Sequence, residues 1–189
     1  MKKWLVITVL TLMVGCSSTP SELVTYLLPS GNTASAAHHG NDQNLLIVAP
    51  VDVASYLADM GLVYQVSPTE IVEARQSLWA EGLSKQLTRR ITNDLRQKQT
   101  GFWPTQLTST LSTAGIPRLQ IRINRFNGVY TGVAEVAGEW MLIDAKGELQ
   151  TVHPFIFSVP LAADGFAAQV EALSLGVDEL TTQVAVSLK

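Results

Sequence analysis

The feature that most constrains the fold is the segment Arg118 to Phe126, in which polar and apolar side chains alternate as far as Asn124. The apolar members, Leu119, Ile121 and Ile123, occupy every second position. Because neighbouring side chains of a strand point to opposite faces of a sheet, this pattern predicts a half-buried strand.

The residues that follow continue this β pattern. We expect strands over 128–137 and 139–144, separated at Gly138, then a turn at 145–147 and a strand over 148–159. Consecutive strands joined by short turns predict an antiparallel meander. Further strands are expected over 22–28, over 45–53 with an interruption at Pro50, over 62–66 and at Phe102–Trp103.

Two segments place apolar residues at helical spacing. The first runs from about residue 71 to 99 and the second from about 166 to 188, with Asp164 as its expected N-cap. Together with the strands they predict an α/β (α+β) fold. We expect a two-layer sandwich, in which a mostly antiparallel sheet carries two long amphipathic helices on one face.

The N-terminus is typical of a secretory signal peptide. Lys2 and Lys3 precede about eleven apolar residues, which are too few to span a bilayer. Gly15 followed by Cys16 resembles the lipobox of bacterial lipoproteins, in which the cysteine thiol receives a diacylglycerol group and the chain is cleaved before it. An ordinary signal peptide with an incidental cysteine is the alternative.

Cys16 is the only cysteine of the chain, so internal disulfides are excluded. Acyl chains on it would anchor the protein stably in a bilayer. Ser17 stands where an Asp resembles the inner-membrane retention signal of enterobacteria, which favours the periplasmic face of the outer membrane. We expect a lipoprotein signal peptide over 1–15, a lipidated Cys16 and short tether over 16–21, and one periplasmic domain over 22–189.

Charge excludes nucleic acid as a partner. The whole chain has 13 Lys+Arg and 16 Asp+Glu; removal of residues 1–15 takes away two lysines and leaves 11 against 16, a net charge of −5. The low charged fraction of 15% and the apolar fraction of 47% leave material for an interaction surface, and they favour a homo-oligomer.

The sequence carries no recognisable catalytic or metal-binding constellation. His38 and His39 fall in a polar loop without further ligands, and His153 precedes a proline within a strand. Glu73 and Glu81 are eight residues apart on the first predicted helix, a spacing typical of surface positions. We expect no cofactor, no metal and no enzymatic activity.

Three aromatic residues are candidates for partner or self-association contacts: Trp79, Phe102 and Trp103. Tryptophan is enriched among residues that dominate binding energy at interfaces. A place in the core is the alternative for each of them.

Several short motifs occur in an order that resembles a known family. They are Tyr26-Leu27-Leu28 after the predicted lipid anchor, Ala49-Pro50-Val51, the segment 78–83 (Leu-Trp-Ala-Glu-Gly-Leu), Arg125-Phe126, Gly138-Glu139-Trp140 and the final helix. In order and spacing they resemble the ABC-type transport auxiliary lipoprotein family over nearly the whole mature chain.

This resemblance implies a non-enzymatic protein that serves a lipid transport system built on mammalian-cell-entry (MCE) domain proteins. It implies that the chain docks the outer-membrane end of a periplasm-spanning MCE-domain protein. A lipid-binding module, which itself holds an acyl chain between sheet and helices, is the second hypothesis.

Overall fold

The computed structural model describes residues 22–30, 44–98, 101–109 and 115–188. Within these ranges there are nine strands, two α-helices and a 3-10 turn at Ser55–Leu57. The strands are β1 (Val24–Tyr26), β2 (Asn44–Val48), β3 (Asp52–Val53), β4 (Gly61–Ser67), β5 (Glu70–Trp79), β6 (Phe102–Gln106), β7 (Arg118–Val129), β8 (Val133–Ile143) and β9 (Leu149–Pro160). The helices are α1 (Leu83–Lys98) and α2 (Phe166–Ser187).

All nine strands belong to one mixed sheet, with β7 at its centre. The strand order is β1-β5-β4-β7-β2-β6, and β8 and β9 continue from β7 as a meander. The longest ladders, β7–β8 and β8–β9, are antiparallel, whereas β7 pairs in parallel with β2, β3 and β4. The predicted fold class and the meander are therefore confirmed, and parallel strands from the first half of the chain complete the sheet.

The alternation that predicted β7 matches its burial. Leu119, Ile121 and Ile123 are buried in the core, whereas Arg122 and Arg125 are exposed on the opposite face. The face of β7 that carries the buried residues packs under the helices. α2 contacts β7, β8 and β9, and α1 contacts α2 and β6. The apolar residues of the two helices that complete the core are Leu83, Leu87, Ile91, Leu95, Val170, Leu173, Val177, Leu180 and Val184.

The predicted first helix is wrong in its N-terminal part. Residues 70–79 form β5, which pairs antiparallel with β4 and parallel with β1, and the helix begins only at Leu83. Ile71 and Val72 are β-branched and suit a strand. Pairing on both sides of β5 decided the structure here, because helical spacing of a few apolar residues is a weak local preference.

The predicted strand break at Gly138 is also wrong. The chain turns at residues 130–132, where Gly132 adopts a φ of +84°. Gly138 lies inside β8 opposite Ile123, where the register of β7 shifts. A Cβ at Gly138 would lie 2.0 Å from the carbonyl oxygen of Arg122, so this position requires glycine for close approach of the two strands.

Smaller predictions at element ends have mixed outcomes. The interruption at Pro50 is confirmed, since β2 ends at Val48 and β3 begins at Asp52, and so is the turn at 145–147. Asp164 is not the N-cap of α2. The residue at that position is Gly165, with a φ of 101° and no side-chain cap.

Candidate functional site

Trp79 is the last residue of β5, and its side chain lies inside the protein. It is 3% exposed, and its ring centroid is 6.1 Å from that of Phe126. Its neighbour across the sheet is Tyr26 of β1, which also packs against the core. Trp79 is therefore a core residue, which was the alternative interpretation of this side chain.

Phe102 and Trp103 begin β6, which is the last strand in the sheet order beyond β2. Both side chains are half-buried. Pro104, also in β6, has no N–H to donate, which suits a strand at the edge of a sheet. The two aromatic residues thus lie at an edge of the sheet, with part of each side chain at the surface.

Arg96 of α1 fixes Trp103 in place. Its guanidinium carbon lies 5.0 Å from the centroid of the Trp103 ring, within range of a cation–π interaction. Its Nε donates a hydrogen bond of 2.8 Å to the carbonyl oxygen of Pro104. Burial lowers the pKa of Arg96. The result is a preorganised aromatic–cation pair at the surface, which costs little side-chain entropy when a partner binds.

Phe102 also lines a surface groove of about 400 Å³. The other lining residues are Asn44, Leu45, Gly115, Ile116, Pro117 and Ala145. The lining is mainly apolar, with a single amide side chain. We call Phe102, Trp103, Arg96 and this groove the β6 surface.

A second exposed apolar surface lies along β9, the terminal strand of the meander. Leu149, Val152 and Ile156 are exposed there, the last by 61%. Among the described residues β9 pairs only with β8. Pro154 and Pro160 within β9 cannot donate backbone hydrogen bonds, which limits pairing of this edge with another strand.

The sheet face opposite the helices carries paired charges rather than a field of one sign. Arg122 lies 3.0 Å from carboxylate oxygens of both Asp52 and Glu139, and Arg125 lies 2.8 Å from Glu135. Hydrogen bonding to Asp52 is the main cause that raises the pKa of Arg122. Because these arginines are paired with carboxylates, this face has no excess positive charge that would attract a polyanion.

Sequence reasoning missed a buried polar network between the two helices. Arg90 Nε donates to both carboxylate oxygens of Asp94, at 2.9 and 2.7 Å, and its Nη1 donates to Ser174 of α2 at 2.7 Å and to the carbonyl oxygen of Pro29. Gln86 accepts a 2.7 Å hydrogen bond from the backbone N–H of Leu28. The spacing of Arg90 and Asp94 was visible in the sequence, but on a helix it is typical of a surface ion pair.

The remaining polar candidates have structural surroundings. His153 stacks on Trp140 with ring centroids 4.5 Å apart. Glu73 accepts a hydrogen bond from the N–H of Gly61, and Glu81 pairs with Arg89 and Lys85, which lower its pKa. In the described ranges, no three His, Cys, Asp or Glu side chains are grouped as metal ligands would be.

Several predicted features lie outside the described residues, namely the signal peptide, Cys16 with its tether, and His38–His39. Neither of the two described α-helices combines the length and the apolar character that a transmembrane helix needs.

The mixed sheet with two packed helices agrees with the comparisons to known proteins. The chain belongs to the ABC-type transport auxiliary lipoprotein component family, whose profile matches residues 26–185. It is 35% identical over 176 residues to the intermembrane transport lipoprotein PqiC of Escherichia coli (strain K12), covering 92% of this chain and 90% of that protein. The PqiC of Shigella flexneri matches to the same extent.

Solved structures show the same fold. A crystal structure of an uncharacterized protein superposes with a TM-score of 0.73 at 28% identity, covering 87% of this chain and 97% of the other. A Xanthomonas campestris protein of the DUF330 family superposes with a TM-score of 0.69 at 18% identity, covering 87% and 95% of the two chains. The second likeness concerns the fold alone.

Proposed function

We propose that this protein is a lipid-anchored auxiliary component of an intermembrane transport system, and that its task is to dock a partner protein. The observation that carries the proposal is the 35% identity to an intermembrane transport lipoprotein over 92% of the chain. The family is one of transport auxiliary lipoproteins rather than of enzymes. We propose no catalytic step and no cofactor.

The anchor is Cys16. Cleavage after the signal peptide of residues 1–15 would free its amine for acylation, and its acyl chains would insert into the outer membrane at the periplasmic face. Residues 16–21 are a short tether in this proposal, and the first strand, β1, begins at Val24. The folded part, from residue 22 to the C-terminus, stays on the periplasmic side.

The partner in this proposal is the periplasm-spanning MCE-domain protein of the same transport system. The β6 surface supports such a contact, because Trp103 is held by Arg96 and Phe102 borders an apolar groove. Rigid aromatic residues and arginine are the side chains that most often dominate binding energy. The test is a pull-down of full-length acylated protein from native membranes, with partners identified by mass spectrometry; recovery of an MCE-domain protein supports the proposal, and its absence contradicts it.

Homo-oligomerisation is part of the same proposal. The exposed apolar residues of β9 offer a surface that a second copy would cover. Sedimentation of the fragment that begins at Ser17 tests this, and a strict monomer at tens of micromolar would contradict it.

A lipid-binding module is the second candidate function, supported by the high apolar fraction. The space between sheet and helices argues against it, because large side chains fill that layer, including Trp140, Leu87, Leu95 and Leu119, which are fully buried. Close packing of this kind leaves no room for an acyl chain without rearrangement. Native mass spectrometry in mild detergent separates the two hypotheses, since phospholipid released only on unfolding would favour the second.

A further inference from the structure

The residues just before and just after β1 each present a large apolar side chain to solvent, on what we call the outward face of β1. Leu23 is 58% exposed and Leu27 is 61% exposed, and Thr25 lies between them on that face. The alternate residues Val24, Tyr26 and Leu28 point the other way; Tyr26 and Leu28 pack against the core, whereas Val24 is 43% exposed at the start of the strand. The exposed leucines are thus on an outward face that nothing in the described ranges covers.

The position of this face is fixed by the fold. β1 pairs in parallel with β5, and the carbonyl oxygen of Tyr26 accepts a 2.8 Å hydrogen bond from the N–H of Ala80. Just beyond β1, Gln86 accepts from the N–H of Leu28, and Arg90 donates to the carbonyl oxygen of Pro29. These partners lie on or next to α1, so β1 is held in a fixed orientation relative to that helix.

The chain between the anchor and this face is short. Leu23 follows Cys16 by seven residues, which span at most roughly 25 Å when fully extended. An acylated Cys16 lies at the surface of the leaflet. Leu23 is therefore the first large apolar side chain of the folded part that the tether brings to the lipid.

We infer that the outward face of β1, with Leu23 and Leu27, lies on the lipid leaflet and forms a second membrane contact beside the acyl chains. The inference rests on the proposed acylation of Cys16. Two leucines with an intervening threonine suit the boundary between headgroups and acyl chains, where apolar side chains gain by burial and a hydroxyl stays hydrated. This contact would hold the domain at one fixed angle to the membrane.

The lone cysteine makes a direct test practicable. Acylation consumes the Cys16 thiol, so a cysteine introduced elsewhere is the sole reactive thiol of the mature protein. Leu23→Cys, Leu27→Cys and the control Val186→Cys are each labelled with a nitroxide in full-length acylated protein. Val186 is 61% exposed, like Leu27, but lies on α2, the helix that packs on β7, β8 and β9. The proteins are reconstituted into vesicles of phosphatidylethanolamine and phosphatidylglycerol, and accessibility to oxygen and to a water-soluble nickel chelate is measured.

The expected result is an oxygen-to-nickel accessibility ratio several-fold higher at Leu23→Cys and Leu27→Cys than at Val186→Cys. Equal, water-like ratios at all three positions in protein that floats with the vesicles would overturn this inference and leave the lipid anchor intact. A lipid-like ratio at Val186→Cys as well would also overturn it, because the contact would not be specific to β1. Failure of the protein to float with the vesicles would overturn the acylation proposal and this inference together.

Discussion

Arg90 and Asp94 form an ion pair inside the interface between α1 and α2, with Arg90 Nε 2.7 Å from a carboxylate oxygen and the two side chains 6% and 3% exposed. The same guanidinium reaches Ser174 of α2 and the backbone of Pro29. One buried cation therefore connects both helices with the chain segment that follows β1.

Arg90→Met should lower the free energy of unfolding by about 3 to 5 kcal/mol, because it leaves the Asp94 carboxylate buried without its partner. Urea denaturation followed by tryptophan fluorescence measures this loss. The matched control is Arg122→Met, whose ion pairs with Asp52 and Glu139 are exposed to solvent and should contribute little to stability. Equal losses for the two variants would show that the buried network does not stabilise the fold.

Gly138→Ala should destabilise the protein by at least about 1 to 3 kcal/mol, as overpacking of a close-packed site does. The added Cβ would meet the carbonyl oxygen of Arg122 at 2.0 Å, and backbone cannot move aside as a flexible side chain can. Gly82→Ala is the control, since a Cβ there has no atom within 4 Å. Thermal unfolding that is unchanged in Gly138→Ala would contradict the close approach of β7 and β8.

Tyr56 should make the protein less stable as the pH rises above 10.0. Burial, partly opposed by Arg125, raises the pKa of its phenol above that value, and the hydroxyl donates a 2.7 Å hydrogen bond to the carbonyl oxygen of Asn124. The folded protein then holds a proton that the unfolded chain has lost, so the free energy of unfolding falls from pH 10.0 up to the folded-state pKa.

The difference in free energy of unfolding between the natural protein and Tyr56→Phe isolates this effect, because the other tyrosines cancel. We expect this difference to be constant below pH 10.0 and to decrease above it. A difference that stays flat across this range would show that the Tyr56 pKa is not raised.

Trp103→Ala and Trp79→Ala should separate binding from stability. Trp79 is in the core, so its truncation should cost about 3 to 5 kcal/mol of folding free energy. Trp103→Ala should leave the protein folded, with a smaller loss of stability, and should reduce recovery of the MCE-domain protein from native membranes. Circular dichroism and quantitative pull-down measure the two effects, and undiminished recovery with Trp103→Ala would exclude the β6 surface as the docking site.

The elements that the sequence predicted well are those set by local periodicity. α2 runs from Phe166 to Ser187 and β7 from Arg118 to Val129, close to the predicted spans, because each has one buried face of regular spacing. The family resemblance was also confirmed, because the order and spacing of short motifs can be read from the sequence without knowledge of the fold.

The features that the sequence did not predict depend on contacts between distant residues. β5 is a strand because β1 and β4 flank it, and this pairing outweighs the helical spacing of its apolar residues, with only the β-branched Ile71 and Val72 as a local sign of a strand. The burial of Trp79 and the link from Arg90 to Pro29 and Ser174 likewise depend on how the helices lie on the sheet. A charged pair four residues apart on a helix looks the same in sequence whether it is exposed or buried.

The most direct test of the docking proposal is photo-crosslinking in living cells at the β6 surface. Trp103 is replaced by a photoreactive phenylalanine in the full-length acylated protein, with the same replacement at the exposed Val186 of α2 as control. The account predicts a crosslink from position 103 to an MCE-domain protein and none from position 186. Crosslinks from position 103 only to other copies of this chain, or to unrelated envelope proteins, would contradict it.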